Sequence, residues 1–230
     1  MKKIKISSLA ILVLLFLGSG CDAVQNANNK QKGGVIGAAG GAVIGGVVGN
    51  NVGKGGNTAL GAIIGGVVGG AAGAYIGDRM DRQAERIESE IPGADVTRVG
   101  EGINVTFDES SGVYFDSAKY NINSTSATTL DKLAGIFTEF PQSNILIEGH
   151  TDSDGSESYN MKLSQNRAEA VTGYLLSKGL DNSRFTTRWY GETQPKYEND
   201  TAAGKAKNRR VELAIVASDE LKEEAKTKAQ

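Results

Sequence analysis

The stretch GHTDSDGSESYNMKLSQNRAEAVTGYLLSKGL, residues 149–180, decides the reading of this chain. Just before it, Ile145, Leu146 and Ile147 form a short apolar run, as expected for a central strand buried on both sides. Residues 157–178 turn Leu163, Val171, Tyr174 and Leu175 to one side and so predict a helix, with Gly179 as its C-terminal cap. Between strand and helix lies a polar loop rich in Asp, Ser and Gly.

Working outward, residues 124–140 place Leu130, Leu133, Ala134, Phe137 and Phe140 on one face, an amphipathic helix that Pro141 stops. Gly112 to Phe115 reads as a short strand. Residues 96–107 alternate around a Gly-Glu-Gly turn and predict a hairpin. Downstream, Arg184 to Tyr190 and Arg210 to Val216 read as strands, with a short helical stretch near 201–208. The order β-α-β-α-β-β predicts an α+β sandwich: a mixed sheet with helices on one face. This places a globular domain at 94–217. Residues 218–230, charged and without a core pattern, read as a flexible tail.

Composition narrows the function classes. The 230 residues carry 25 Lys and Arg against 27 Asp and Glu, a net charge of −2, which argues against electrostatic binding of nucleic acid. One Cys and one His cannot build a Cys/His zinc site, and no intrachain disulfide is possible. No cofactor is expected.

The N-terminal part has a different character. Residues 1–20 hold Lys2, Lys3 and Lys5, an apolar core from Ile6 to Leu17, and small residues before Cys21, which is a secretory signal pattern. The small residues ending in Cys resemble the bacterial lipoprotein lipobox, in which the Cys becomes the acylated first residue. Gly18 stands where that motif usually has Leu, and ordinary signal cleavage with an incidental Cys is the alternative. Residues 21–32 are a polar tether. In 33–77, Gly recurs every four residues, and AVIGGVVG at 42–49 returns as AIIGGVVG at 62–69. Four-residue Gly spacing lays a smooth groove along one helix face and permits close packing. The expected structure is an antiparallel helical hairpin, similar to the glycine zippers of envelope lipoproteins, that inserts in a membrane or makes homo-oligomers. A flexible linker is the alternative. Ala59 to Gly77 carries no charge and as a helix would rise about 28 Å, the lower edge of a bilayer core. The charged stretch 78–93 reads as a solvated helical spacer.

Several separated blocks now occur together: YFD at 114–116, GHTD at 149–152, YN at 159–160, LSQNRA at 163–168, GETQP at 191–195 and NRRVE at 208–212. They resemble the OmpA C-terminal-like family, which includes peptidoglycan-associated lipoproteins and the flagellar stator's anchoring domain. The resemblance spans roughly 105–217. It implies noncatalytic binding of the diaminopimelate in a peptidoglycan stem. That residue offers an ammonium and a carboxylate on one carbon, and so asks for an acid and a base a few Å apart. By resemblance the acid is Asp152 and the base Arg167, whose guanidinium grips a carboxylate with two charge-assisted hydrogen bonds. The resemblance also brings Asp116 near the ligand, with Leu163 for apolar contact and Thr151 for a hydrogen bond.

Each assignment has a plainer reading. Asp152 can cap a turn, and Arg167 can be a surface helix residue. Arg209 and Arg210 either line the pocket or brace Asp152. Asn160 and Asn208 read as turn and network residues. His150, two positions from Asp152 at a strand end, reads as structural rather than as a general base. Trp189 and Tyr190 read as packing residues before sugar-stacking ones.

The expectation is therefore a lipid-anchored protein that ties a membrane to the cell wall, at the outer membrane by family resemblance. Asp22, directly after the Cys, resembles an inner-membrane retention signal. Two other readings stand beside it. One is a membrane oligomer or assembly factor acting through the zipper. The other is a wall hydrolase using Asp152 with Asp154 or Glu157, which lacks a sugar cleft between separated carboxyls.

Overall fold

The computed structural model describes residues 68–108, 111–115 and 118–230. Cys21, Asp116 and the residues expected to form the zipper up to 67 lie outside the described residues.

A twisted sheet runs in the order β1-β2-β5-β3-β4. β1 (Asp95–Val99) and β2 (Gly102–Phe107) form the hairpin expected around Gly100 and Glu101. β2 pairs antiparallel with β5 (Val211–Ala217), and β5 antiparallel with β3 (Ser143–His150). Only β3 and β4 (Phe185–Gly191) are parallel, because the helix α3 (Glu157–Ser177) carries the chain back between them. The sheet is mixed, as the sequence order implied.

One face of the sheet is packed by helices. Ile103, Val105 and Phe107 of β2, Ile145 and Ile147 of β3, and Leu213 and Ile215 of β5 point into a single core. Leu130, Leu133 and Phe137 of α2 (Ser124–Glu139) and Val171 and Leu175 of α3 fill it from the other side. Polar N-caps start the helices: Asn123 accepts from the Ser126 N–H, and Ser156 from the Tyr159 N–H. The alternation of β5 sends Glu212, Ala214 and Val216 to the opposite face, where Ala214 packs with Val99, Leu146 and Val216.

Three parts differ from expectation. First, α1 (Gly70–Glu90) crosses the proposed zipper–spacer boundary and is part of the domain. Ile76, Met80, Ala84 and Ile87 make a stripe at helical spacing and are buried in the common core. The many charges of 78–93 occupy the outer faces, where Arg98 of β1 pairs with Asp81 at 2.8 Å. The Glu101 carboxylate, on the β1–β2 turn, accepts the N–H groups of Val68 and Gly69 at 2.9 and 3.1 Å and so satisfies donors at the start of α1. Second, the expected tail contains a helix, α5 (Asp219–Lys228; the short α4 is Ala202–Asn208). Ser218 caps it, Leu221 and Ala225 are buried, and its Glu224 accepts from Tyr75 of α1 at 2.7 Å. Third, 112–115 is not a strand: Val113 and Phe115 are buried beneath α2 without joining the sheet.

The docking of α1 also revises the membrane arithmetic. Gly73 and Gly77, counted in the zipper, are buried in α1. Gly70–Gly77 of the uncharged run thus belong to α1, so the run is not available whole as one free membrane-spanning helix, and its part up to 67 lies outside the described residues. Among the described residues no helix is long and apolar enough to cross a membrane.

Candidate functional site

Two glycines bring the site's elements together. A Cβ at Gly149 of β3 would strike the Ser164 carbonyl of α3, so only glycine lets the helix lie this close to the strand. Gly191, at the end of β4 with φ 55°, meets the backbone at Met161 in the same way. α3 is thereby pressed against the ends of β3 and β4, with Ser164 Oγ accepting from the Gly191 N–H at 2.9 Å.

β3 then delivers Thr151 and Asp152 at its C-terminal end. The His150 N–H donates to the Arg210 carbonyl, and the Thr151 N–H to that of Gly191. Asp152 is buried, with one carboxylate oxygen accepting from Arg209 at 2.7 Å and the other from the Asp154 N–H at 3.1 Å. Asn160, fully buried, ties down the loop by donating to the carbonyls of Asp152 and Asp154 and contacting the Glu192 carboxylate. Arg167 reaches in from α3. It is only 3% exposed, its Nε donates to the Lys119 carbonyl at 3.0 Å, and its guanidinium lies 5.2 Å from the centre of the Phe115 ring.

Asp152 and Arg167 line the same cavity, about 280 Å³ and open to solvent. Thr151, Leu163 and Arg209 share its wall, so five of the six proposed ligand-contact residues converge; Asp116 is outside the described residues. Asp154, Tyr159, Asn160 and Ala118 line it too. In the sequence Asp154 stands out only as a hydrolase's second acid and Tyr159 only as part of the YN block, while Ala118 carries no signal beyond its place just after the YFD block. Ala118 takes φ 58°, the left-handed region that a non-glycine residue occupies at a cost of about 1–2 kcal/mol. At the mouth, Lys205 pairs with Asp154 at 2.7 Å, and this hydrogen bond raises the lysine's pKa.

The cavity offers a carboxylate and two guanidiniums in fixed, largely desolvated positions. Asp152 keeps unused lone pairs, since a carboxylate has about four acceptor sites. Thr151 Oγ1 is buried without a partner among the described residues. The arrangement suits a small zwitterion. Asp152 and Asp154 each face a cation at 2.7 Å, Arg209 and Lys205 respectively. No cluster of His, Cys, Asp or Glu suited to a metal forms among the described residues.

His150 points to the far face of the sheet. It is 1% exposed, stacks on Tyr190 at 5.5 Å, and among the described residues finds no hydrogen-bond partner for either nitrogen. Burial, then the charges of Arg210 and Lys196, hold its pKa well below the ordinary value, so the ring is neutral. Arg210 does not brace Asp152; it pairs with Glu212 at 2.6 Å, both side chains 1% exposed. Tyr190 donates to Glu148 on that same face, a packing role.

The chain matches the OmpA family over residues 114–209 and the YMGG-like Gly-zipper over residues 1–81. The probable lipoprotein YiaD of Escherichia coli (strain K12) is 36% identical over 140 residues, 61% of this chain and 64% of that one, so the chain spans less than two thirds of that relative. Among solved structures, the cell wall anchor of the T6SS from Pseudomonas aeruginosa aligns with a TM-score of 0.51 at 28% identity, over 60% of this chain and 97% of that one. The peptidoglycan-associated lipoprotein of Pasteurella multocida (strain Pm70) is 39% identical over 102 residues, 44% of this chain and 68% of its own length. On that coverage and identity, the chain belongs to the OmpA family.

Proposed function

We propose that the protein binds peptidoglycan without catalysis, taking the diaminopimelate of a stem peptide into the cavity, and that a lipid on Cys21 holds the other end in a membrane. The observation that carries this reading is the placement of Asp152 and Arg167 in one solvent-open cavity. Arg167 receives the ligand carboxylate through two parallel N–H···O bonds, and Asp152 receives the ammonium. Arg209 holds Asp152 in place. Its charge also keeps the site from being net negative, which suits a ligand bearing both signs. Leu163 covers the ligand's methylene chain. Asp116 joins as a further acceptor. Similarity to a peptidoglycan-associated lipoprotein and to the cell wall anchor of the T6SS supports the same reading for this chain.

Burial of the charges makes their loss costly. Removing one partner of a buried charged contact typically costs 2–5 kcal/mol, or about 30-fold to several thousand-fold in affinity. Cosedimentation of the purified protein with diaminopimelate-type peptidoglycan tests this. Asp152→Ala and Arg167→Ala should each abolish it, and wild-type sedimentation of both variants would reject the site.

A further inference from the structure

The sheet face opposite α1, α2 and α3 carries a small apolar patch at one pole. Ala214 is fully buried there, ringed by Val99, Leu146 and Val216, which are only half-buried. Register puts this patch where the chain enters the domain. Leu146 pairs with Ala214 and Asn144 with Val216, so the patch spans the start of β3 and the end of β5. Val99 ends β1, two residues before Glu101, whose carboxylate holds the Val68 and Gly69 N–H groups. From Asn144, Leu146 and Val216 a groove of about 440 Å³ runs on to Glu148 and Tyr190.

The residues that lead into this pole are ALGAIIGGV, 59–67. They carry no charge, and Leu60, Ile63 and Ile64 gain by leaving water. Gly61, Gly65 and Gly66 have no side chain to hold a backbone off a flat sheet. Gly69 and Gly70 take φ of 75° and 64°, which turns the chain sharply ahead of α1. Nine residues reach up to about 30 Å when extended, and the patch begins beside the glutamate that fixes Val68. An apolar segment tethered at the edge of an apolar patch covers it at small entropic cost, because the tether already supplies proximity.

We propose that residues 59–67 of the same chain dock on the patch formed by Val99, Leu146, Ala214 and Val216, so that the domain shields the last apolar residues of the Gly-rich region from water. The test is disulfide trapping in the full chain carrying Cys21→Ser, where only introduced thiols remain. Val216→Cys or Val99→Cys on the patch is combined with Leu60→Cys, Ile63→Cys or Ile64→Cys, and the purified protein is oxidised. A disulfide closes only where the two Cα atoms come within about 7 Å. At least one pair should close within a single monomer. Its yield should not change on dilution, since a thiol on the same chain sits at about millimolar effective concentration. Thr128→Cys, exposed on α2 and away from the patch, should give no disulfide with the same three positions. Three results would each overturn the docking: no disulfide from either patch position, disulfide-linked dimers that fade on dilution and so mark a second copy on the patch, or equal yields from Thr128→Cys.

Discussion

Asp152 and His150 are two residues apart and meet opposite fates. His150, the last residue of β3, turns to the far face together with Glu148, whereas Asp152 lies past the end of the strand, where alternation no longer holds, and lines the cavity. A buried neutral histidine with a depressed pKa makes stability depend on pH. Below about 6.5, the ordinary value, the unfolded chain takes up a proton that the folded chain refuses. Stability is therefore full above 6.5 and declines as pH falls from there toward the folded-state value. The urea midpoint should drop between pH 6.5 and 5.5, a window above that in which ordinary carboxylates titrate. His150→Phe, which keeps a ring against Tyr190, should flatten that slope; an unchanged slope would remove the histidine from the account.

At the scale of elements, α1 is the sharpest divergence between sequence and structure. Its stripe of Ile76, Met80, Ala84 and Ile87 was legible as spacing, but the surrounding charges suggested a helix wetted on all sides. What sequence could not show is that the sheet and α2 leave a trough for that stripe. Met80 is 2% exposed, so Met80→Ala should cost about 2–5 kcal/mol of unfolding free energy, whereas a solvated spacer would change by under ~0.5. Urea unfolding of that variant separates the two. α5 was harder to foresee, since Leu221 and Ala225 are its only buried residues and it is defined by its partner. Glu224 gains hydrogen bonds from Lys228, Tyr75 and Gln142, which pull its pKa down to about 2 and fasten α5 to α1. The central β3–α3–β4 unit was legible because strand length, helical spacing and the Gly179 cap agree locally. The strand expected at 112–115 failed because alternation is satisfied there by burial under α2, with no strand edge to pair.

For the whole molecule, register fixes where the described chain begins on the domain and where the cavity lies. Ile103 is level with Ile215, and Ile215 with Ile145, so the β1–β2 turn sits beside the start of β3. The chain enters there, at Val68 and Gly69 against Glu101, while the cavity lies past the far end of β3. Eight residues of strand, about 26 Å, separate the two poles. If Cys21 carries the proposed lipid, α1 belongs to the domain and the reach toward the membrane falls to the residues before 68. A lipid-anchored tether engages independently at each end. Cys21→Ser should release the protein from membrane fractions yet leave it sedimenting with peptidoglycan, and Asp152→Ala should do the reverse. Loss of both attachments from either change would contradict two separate ends.

The most direct test of the central claim is the equilibrium affinity of the full chain for a diaminopimelate-containing tripeptide, measured beside Asp152→Ala and Arg167→Ala. The account predicts saturable one-to-one binding by the wild type and a loss of at least about 30-fold in each variant. Absence of wild-type binding, or variants that bind as tightly as the wild type, would contradict it.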